Sequence, residues 1–134
     1  MRKSPNHRGQ LIVLAGPSAV GKSTIGRLLE KDPGLAYCVS TTTRSKRPGD
    51  DKGKVYDYVS VPEFFKKLDA DQFLEYAQVY DNYYGTPKTP TLNDLAAGKD
   101  VLLDIDVQGA MQVRYSYPDA LMIFISLTST SPVV

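Results

Sequence analysis

The sequence predicts an α/β fold in which a mostly parallel sheet carries helices on both faces. Two observations lead there. The runs Leu11-Ile12-Val13-Leu14 and Val101-Leu102-Leu103 are continuously apolar, as strands covered on both faces are. Strand, loop and helix patterns then alternate along the chain, which is the signature of crossover connections. At 134 residues there is room for one domain. Apolar residues at 42% and charged residues at 23% exclude a disordered chain.

In order, residues 1–9 are a polar, basic lead-in, and the first strand follows from Leu11. Gly16 to Gly21 break it, after which Ile25, Leu28 and Leu29 recur at helical spacing up to Pro33-Gly34. A second strand spans Leu35 to Val39. The loop from Ser40 to Lys54 carries Arg44, Lys46, Arg47, Lys52 and Lys54, with Pro48-Gly49 as a turn. Val55 to Val59 reads as a strand. Ser60 and Glu63 form a capping box for a helix through about Leu68, with Pro62 in its first turn. Phe73 to Val79 reads as a strand and Asn82-Tyr83-Tyr84-Gly85 as a turn. A helix from about Thr91 ends at Gly98. Val101 to Ile105 is a strand, Val107, Ala110 and Met111 open a helix, and Leu121 to Leu127 is the last strand. The tail, Thr128 to Val134, is unpatterned, and no repeat or low-complexity tract occurs.

Composition narrows the function classes. Sixteen Lys plus Arg against fifteen Asp plus Glu, a net charge of +1, argue against a nucleic-acid partner bound by bulk charge. The single cysteine, Cys38, excludes an intramolecular disulfide framework and a multi-thiolate zinc site. One histidine, His7, leaves little for His-based metal or triad chemistry. The apolar run Leu11 to Ala15 is far too short for a membrane span or a signal-peptide core. A cytoplasmic protein without a membrane partner is expected.

Gly16-Pro17-Ser18-Ala19-Val20-Gly21-Lys22-Ser23 matches G-x-x-x-x-G-K-[ST], between a buried strand and an amphipathic helix. Glycines let backbone N–H groups close around phosphate oxygens, and the helix N-terminus adds partial positive charge. Lys22 is suited to the β/γ-phosphates and the Ser23 hydroxyl to Mg²⁺, so an ATP site over Gly16 to Thr24 is expected. The alternative is a glycine-rich turn without a ligand. Asp104 and Asp106 stand at the C-terminal end of an apolar strand, where open α/β sheets bind ligands. One carboxylate suits magnesium and the other a substrate donor; the alternative is that both cap the next helix.

The middle of the chain points to an acceptor. Arg44 and Arg47 lie three residues apart in a hydroxyl-rich loop, and arginine forks suit a phosphate dianion. Tyr56, Tyr83 and Tyr84 add phenol donors. Glu75 interrupts an apolar strand, and a buried carboxylate is costly without a purpose. A carboxylate accepts both N1–H and N2–H₂ of guanine. A solvated basic loop and packing tyrosines are the plain alternatives.

The segments Gly16 to Thr24, Ser40 to Arg47, Phe73-Leu74-Glu75, Asn82-Tyr83-Tyr84-Gly85 and Leu103 to Gly109, in this order and spacing, resemble the guanylate kinase family over nearly the whole chain. The resemblance implies a P-loop NTPase-type three-layer fold with a small inserted GMP-binding subdomain, within one domain. Residues 10–34 and 99–127 would be the P-loop core and 35–98 the GMP-binding region. It implies transfer of the ATP γ-phosphate to GMP, with Mg²⁺ and with Lys22, Arg44 and Arg47 as catalytic residues. Ser40, Arg44, Arg47, Tyr56, Glu75, Tyr84, Thr86 and Asp104 would bind GMP, and Ser23 and Asp106 would serve the metal.

Some positions depart from the family pattern. Ala19 replaces a common glycine, Val55 a common Asp, and Tyr76 a frequent Trp. Family members continue past the Leu121 strand into an arginine-rich lid helix and a further strand, whereas no arginine follows Arg114 here. The expectation is weak or absent turnover, with self-association through a bare edge near Leu121 to Leu127. A non-catalytic guanylate-kinase-like module binding GMP or a phosphorylated peptide is the alternative, then a P-loop kinase for another small acceptor.

Overall fold

The computed structural model describes residues 8–16, 26–29, 31–50 and 56–125. Along the chain run β1 (Leu11–Ala15), β2 (Leu35–Tyr37), β3 (Thr41–Thr42), β4 (Asp57–Tyr58), α1 (Val61–Asp69) and β5 (Phe73–Val79). After them come β6 (Asn82–Pro87), α2 (Lys88–Ala96), β7 (Asp100–Ile105), α3 (Val107–Ser116) and β8 (Leu121–Phe124). Residues 26–29 are helical.

The two apolar runs lie side by side. β1 and β7 form the middle of a parallel sheet of order β2-β7-β1-β8, with Leu11 opposite Val101 and Ala15 opposite Ile105. One face collects Leu11, Val13, Ala15, Val101, Leu103 and Ile105, against Leu95 of α2 and Ala110 and Val113 of α3. On the other face Leu14 and Leu102 are fully buried too. Burial on both faces is why these strands show no polar alternation. The helical residues 26–29 approach this second face, since a β-carbon on Gly26 would lie 3.8 Å from the Tyr37 hydroxyl. Among the described residues, no helix is long and apolar enough to cross a membrane.

A second sheet of order β4-β3-β6-β5 is built from the middle of the chain. β6 pairs antiparallel with both β3 and β5, and β4 runs parallel to β3. α1 covers it: Phe64 is fully buried, stacked on Phe73 with ring centroids 4.7 Å apart. The expected capping box is present, with Ser60 Oγ accepting from the Glu63 N–H and the Glu63 carboxylate accepting from the Ser60 N–H.

Several boundaries differ from the sequence reading. Asn82 to Gly85 is not a turn but the start of β6; Val79 pairs with Asn82, so Tyr80 and Asp81 make the hairpin. Asn and Gly suggested a turn, yet Gly85 is needed for space, because a β-carbon there would meet the Phe73 ring at 2.7 Å. α2 begins at Lys88 rather than Thr91, and Pro90 sits in a first turn whose N–H groups need no helical partner. β2, which falls in the stretch 35–98, pairs with β7 in the parallel sheet. β4 spans only Asp57–Tyr58, and β8 ends at Phe124; Val55 and Leu127 lie outside the described residues.

Helix α3 also docks onto the free edge of β5. The Gln112 amide accepts from the Tyr76 N–H at 3.1 Å and donates to its carbonyl at 2.5 Å, while Gln108 donates to the Gln78 carbonyl at 3.2 Å. Two side-chain amides thus stand in for a neighbouring strand.

Candidate functional site

Strand alternation gathers one set of side chains on a single face of the second sheet. Thr86 is directly opposite Glu75, Tyr84 is two residues before Thr86, and Thr42 opposes Tyr84. Glu75, Thr86 and Ser40 are all buried, Glu75 being only 4% exposed. The Thr86 hydroxyl donates to Glu75 Oε1 at 2.6 Å, so Thr86 serves the carboxylate directly. Asp104 reaches the same region from the end of β7, where the Tyr37 hydroxyl donates to its Oδ2 at 3.1 Å.

At the other end of the face stands Arg44. Its guanidinium lies over the Tyr56 ring at 5.1 Å and the Tyr58 ring at 5.9 Å, and Tyr56 meets Tyr84 edge to face at 5.8 Å. Burial first, then the neighbouring Tyr84, pushes the Tyr56 phenol up to about 12; Arg44 opposes the shift and Asp104 adds to it. Tyr56 therefore lies within electrostatic reach of both the arginine and the Asp104 ends. An arginine flanked by neutral phenols offers a cationic, donor-rich surface for an anion.

Sequence reasoning missed Asp50, which organises this end. Its Oδ2 accepts from the Arg47 N–H at 2.8 Å, from the Tyr58 hydroxyl at 2.5 Å and from Arg44 Nη1 at 3.4 Å. The Arg47 amide and then the Tyr58 hydroxyl hold the Asp50 carboxyl down at about 2. A carboxylate directly after Arg47-Pro48-Gly49 was the available signal, hidden in a loop read as basic. Tyr58 shared Tyr56's strand parity and was equally legible.

Not every expected residue joins. Arg47 is exposed, and it is its backbone N–H that reaches Asp50. Tyr83, grouped in sequence with Tyr84, faces the other side and packs on Phe65 at 4.9 Å. Two of the loop's threonine hydroxyls are spent on backbone: Thr42 Oγ1 donates to the Tyr83 carbonyl and accepts from the Arg44 N–H, and Thr43 Oγ1 accepts from the Tyr83 N–H.

On the ATP side, Gly16 is described, whereas Pro17, Ser18, Ala19, Val20, Gly21, Lys22, Ser23 and Thr24 lie outside the described residues. Gly16 has φ of 146°, and a β-carbon there would overlap the Ile125 carbonyl, so only glycine fits the end of β1. Asp106 caps α3, its Oδ1 accepting from the Gly109 N–H at 3.0 Å. Asp106 is thus a helix cap through one carboxylate oxygen, while Asp104 accepts from Tyr37. A cavity of about 520 Å³, lined by Cys38, Thr41, Lys67, Phe73 and Thr91 among others, includes none of the eight expected acceptor residues.

A parallel sheet packed by helices, with a second small sheet inserted between β2 and β7, defines an α/β protein, and the phosphate-loop motif that follows β1 in the sequence gives it the P-loop NTPase pattern. Comparison with known proteins makes the assignment specific. The guanylate kinase family model matches residues 8–133. The guanylate kinase of Carboxydothermus hydrogenoformans is 47% identical over 126 residues, covering 93% of this chain and 62% of that protein. That of Symbiobacterium thermophilum is 52% identical over 119 residues, covering 88% and 56%. The crystal structure of guanylate kinase from Anaplasma phagocytophilum superposes with a TM-score of 0.79 at 31% identity, over 92% of this chain and 63% of that one. The chain belongs to the guanylate kinase family. It spans about three-fifths of the length of these relatives.

Proposed function

We propose that this chain binds GMP as a phosphate acceptor and serves transfer of the ATP γ-phosphate to it, yielding ADP and GDP. One observation carries the reading: a buried Glu75–Thr86 pair and an Arg44–tyrosine cluster occupy one sheet face, a base reader and a phosphate reader on a common floor. Glu75 and Asp104 would accept the guanine N–H groups, with Ser40 and Thr86 supporting the base edge. Arg44, Arg47, Tyr56 and Tyr84 would hold the acceptor phosphate.

In this mechanism a GMP phosphate oxygen attacks the γ-phosphorus in line; the new P–O bond forms as the bond to the ADP oxygen breaks. Holding the acceptor rigidly is most of what the protein contributes. Arg44 is suited to it because the phenol rings and Asp50 already fix its guanidinium. Lys22 would meet the β/γ-phosphates. Mg²⁺ would be held by Ser23 and Asp106, whose second carboxylate oxygen is a hard donor suited to such a cation. When bound, the ion supplies neutralisation of phosphate charge. A soluble cytoplasmic setting is the companion proposal, in line with the single cysteine.

Calorimetric titration with GMP, beside a coupled assay of ADP release with and without GMP, tests the reading. We expect GMP to bind, AMP to bind far more weakly, and Glu75→Gln to erase that preference. A folded protein that takes up no GMP would falsify the acceptor assignment.

A further inference from the structure

Glycine is the poorest helix former after proline, so one inside a helix calls for a reason. Gly109 sits in the first turn of α3. Left-handed backbone is not the reason, because the glycines with positive φ are Gly16, Gly49 and Gly98. Space is. A β-carbon at position 109 would overlap Glu75 Oε2 and stand 2.8 Å from its Cδ.

Both backbones are tied in place. The Gly109 N–H is tied to Asp106 Oδ1 at 3.0 Å, which fixes the helix turn. β5 is pinned beside Glu75 by the two bonds between the Gln112 amide and the Tyr76 backbone. The other carboxylate oxygen is held by Thr86 at 2.6 Å, and the whole side chain is 4% exposed. An added methyl would therefore turn the carboxylate rather than shift the strand.

We propose that Gly109 is a specificity-determining position: its missing side chain is the slot that orients the Glu75 carboxylate toward a guanine edge. Gln112 is the positioning residue that holds β5 at the matching depth. The inference rests on the proposed role of Glu75 in reading the base. A carboxylate that accepts two parallel N–H bonds tolerates little rotation, and discrimination built on such bonds is lost when one is misaligned.

The test compares GMP with inosine monophosphate, which lacks the N2 amino group, by calorimetry on the parent protein and on Gly109→Ala. The variant is expected to lose at least tenfold in GMP affinity while its affinity for inosine monophosphate changes little, narrowing the preference. In a Glu75→Ala background the same change should alter GMP affinity less than twofold and raise the melting temperature, as glycine to alanine in a helix ordinarily does. If Gly109→Ala does not fold, Gln112→Leu takes its place and should narrow the preference likewise. A parent that binds GMP beside a variant with unaltered preference overturns this inference alone. A folded parent that binds no GMP overturns the acceptor reading and this inference with it. Equal effects of Gly109→Ala in both backgrounds overturn the claimed contact.

Discussion

At Asp50 one carboxylate oxygen accepts from a backbone amide, a phenol and a guanidinium. That crowd of donors favours the ionised form and lowers the carboxyl from 3.8 to about 2. A depressed folded pKa adds stability that is present above about pH 4 and lost as pH falls toward 2. Urea midpoints measured from pH 5 down to pH 2 should therefore fall less steeply in Asp50→Asn than in the parent. Arg44 makes a different prediction. Lysine keeps the charge but loses the planar fork and its fit over Tyr56. Arg44→Lys should raise the GMP dissociation constant about tenfold and leave guanosine binding unchanged, which calorimetry with both ligands reads.

Among the elements, those whose own residues dictate them were legible. Ser60 and Glu63 announced α1, and the span Phe73 to Val79 is legible from its run of apolar, strand-favouring residues. The Tyr80-Asp81 hairpin was not legible. Tyr80 adopts φ of 55° without being glycine, so nothing in its type marks the turn, and the pairing of β5 with β6 imposes it. Replacing Tyr80, which is fully in solvent, with glycine should stabilise the fold by roughly 0.5–1 kcal/mol in chemical denaturation. Gly85→Ala should instead destabilise by roughly 1–3 kcal/mol, since the methyl would meet the Phe73 ring. The site divides in the same way. Glu75 was visible as a charge inside an apolar strand, whereas its dependence on Gly109 and Gln112 arises only where α3 meets β5, 34 and 37 residues further on.

For the whole molecule, the order β2-β7-β1-β8 leaves β8 at a margin of the parallel sheet, and among the described residues no strand lies beyond it. Leu121 is 51% exposed and Phe124 48%. An apolar edge of this kind favours pairing between chains. We expect sedimentation velocity on this 134-residue polypeptide to show concentration-dependent association. Phe124→Lys should reduce it, and identical profiles for the two would remove the edge as its cause. The margin formed by β5 is the opposite case, because Gln108 and Gln112 already occupy it. That has a consequence in time. An edge-strand amide ordinarily trades its proton with water at once, but the Tyr76 N–H is held by a side chain of another layer. Its deuterium uptake becomes a clock for the parting of α3 from the second sheet, readable at one backbone amide with no substrate present.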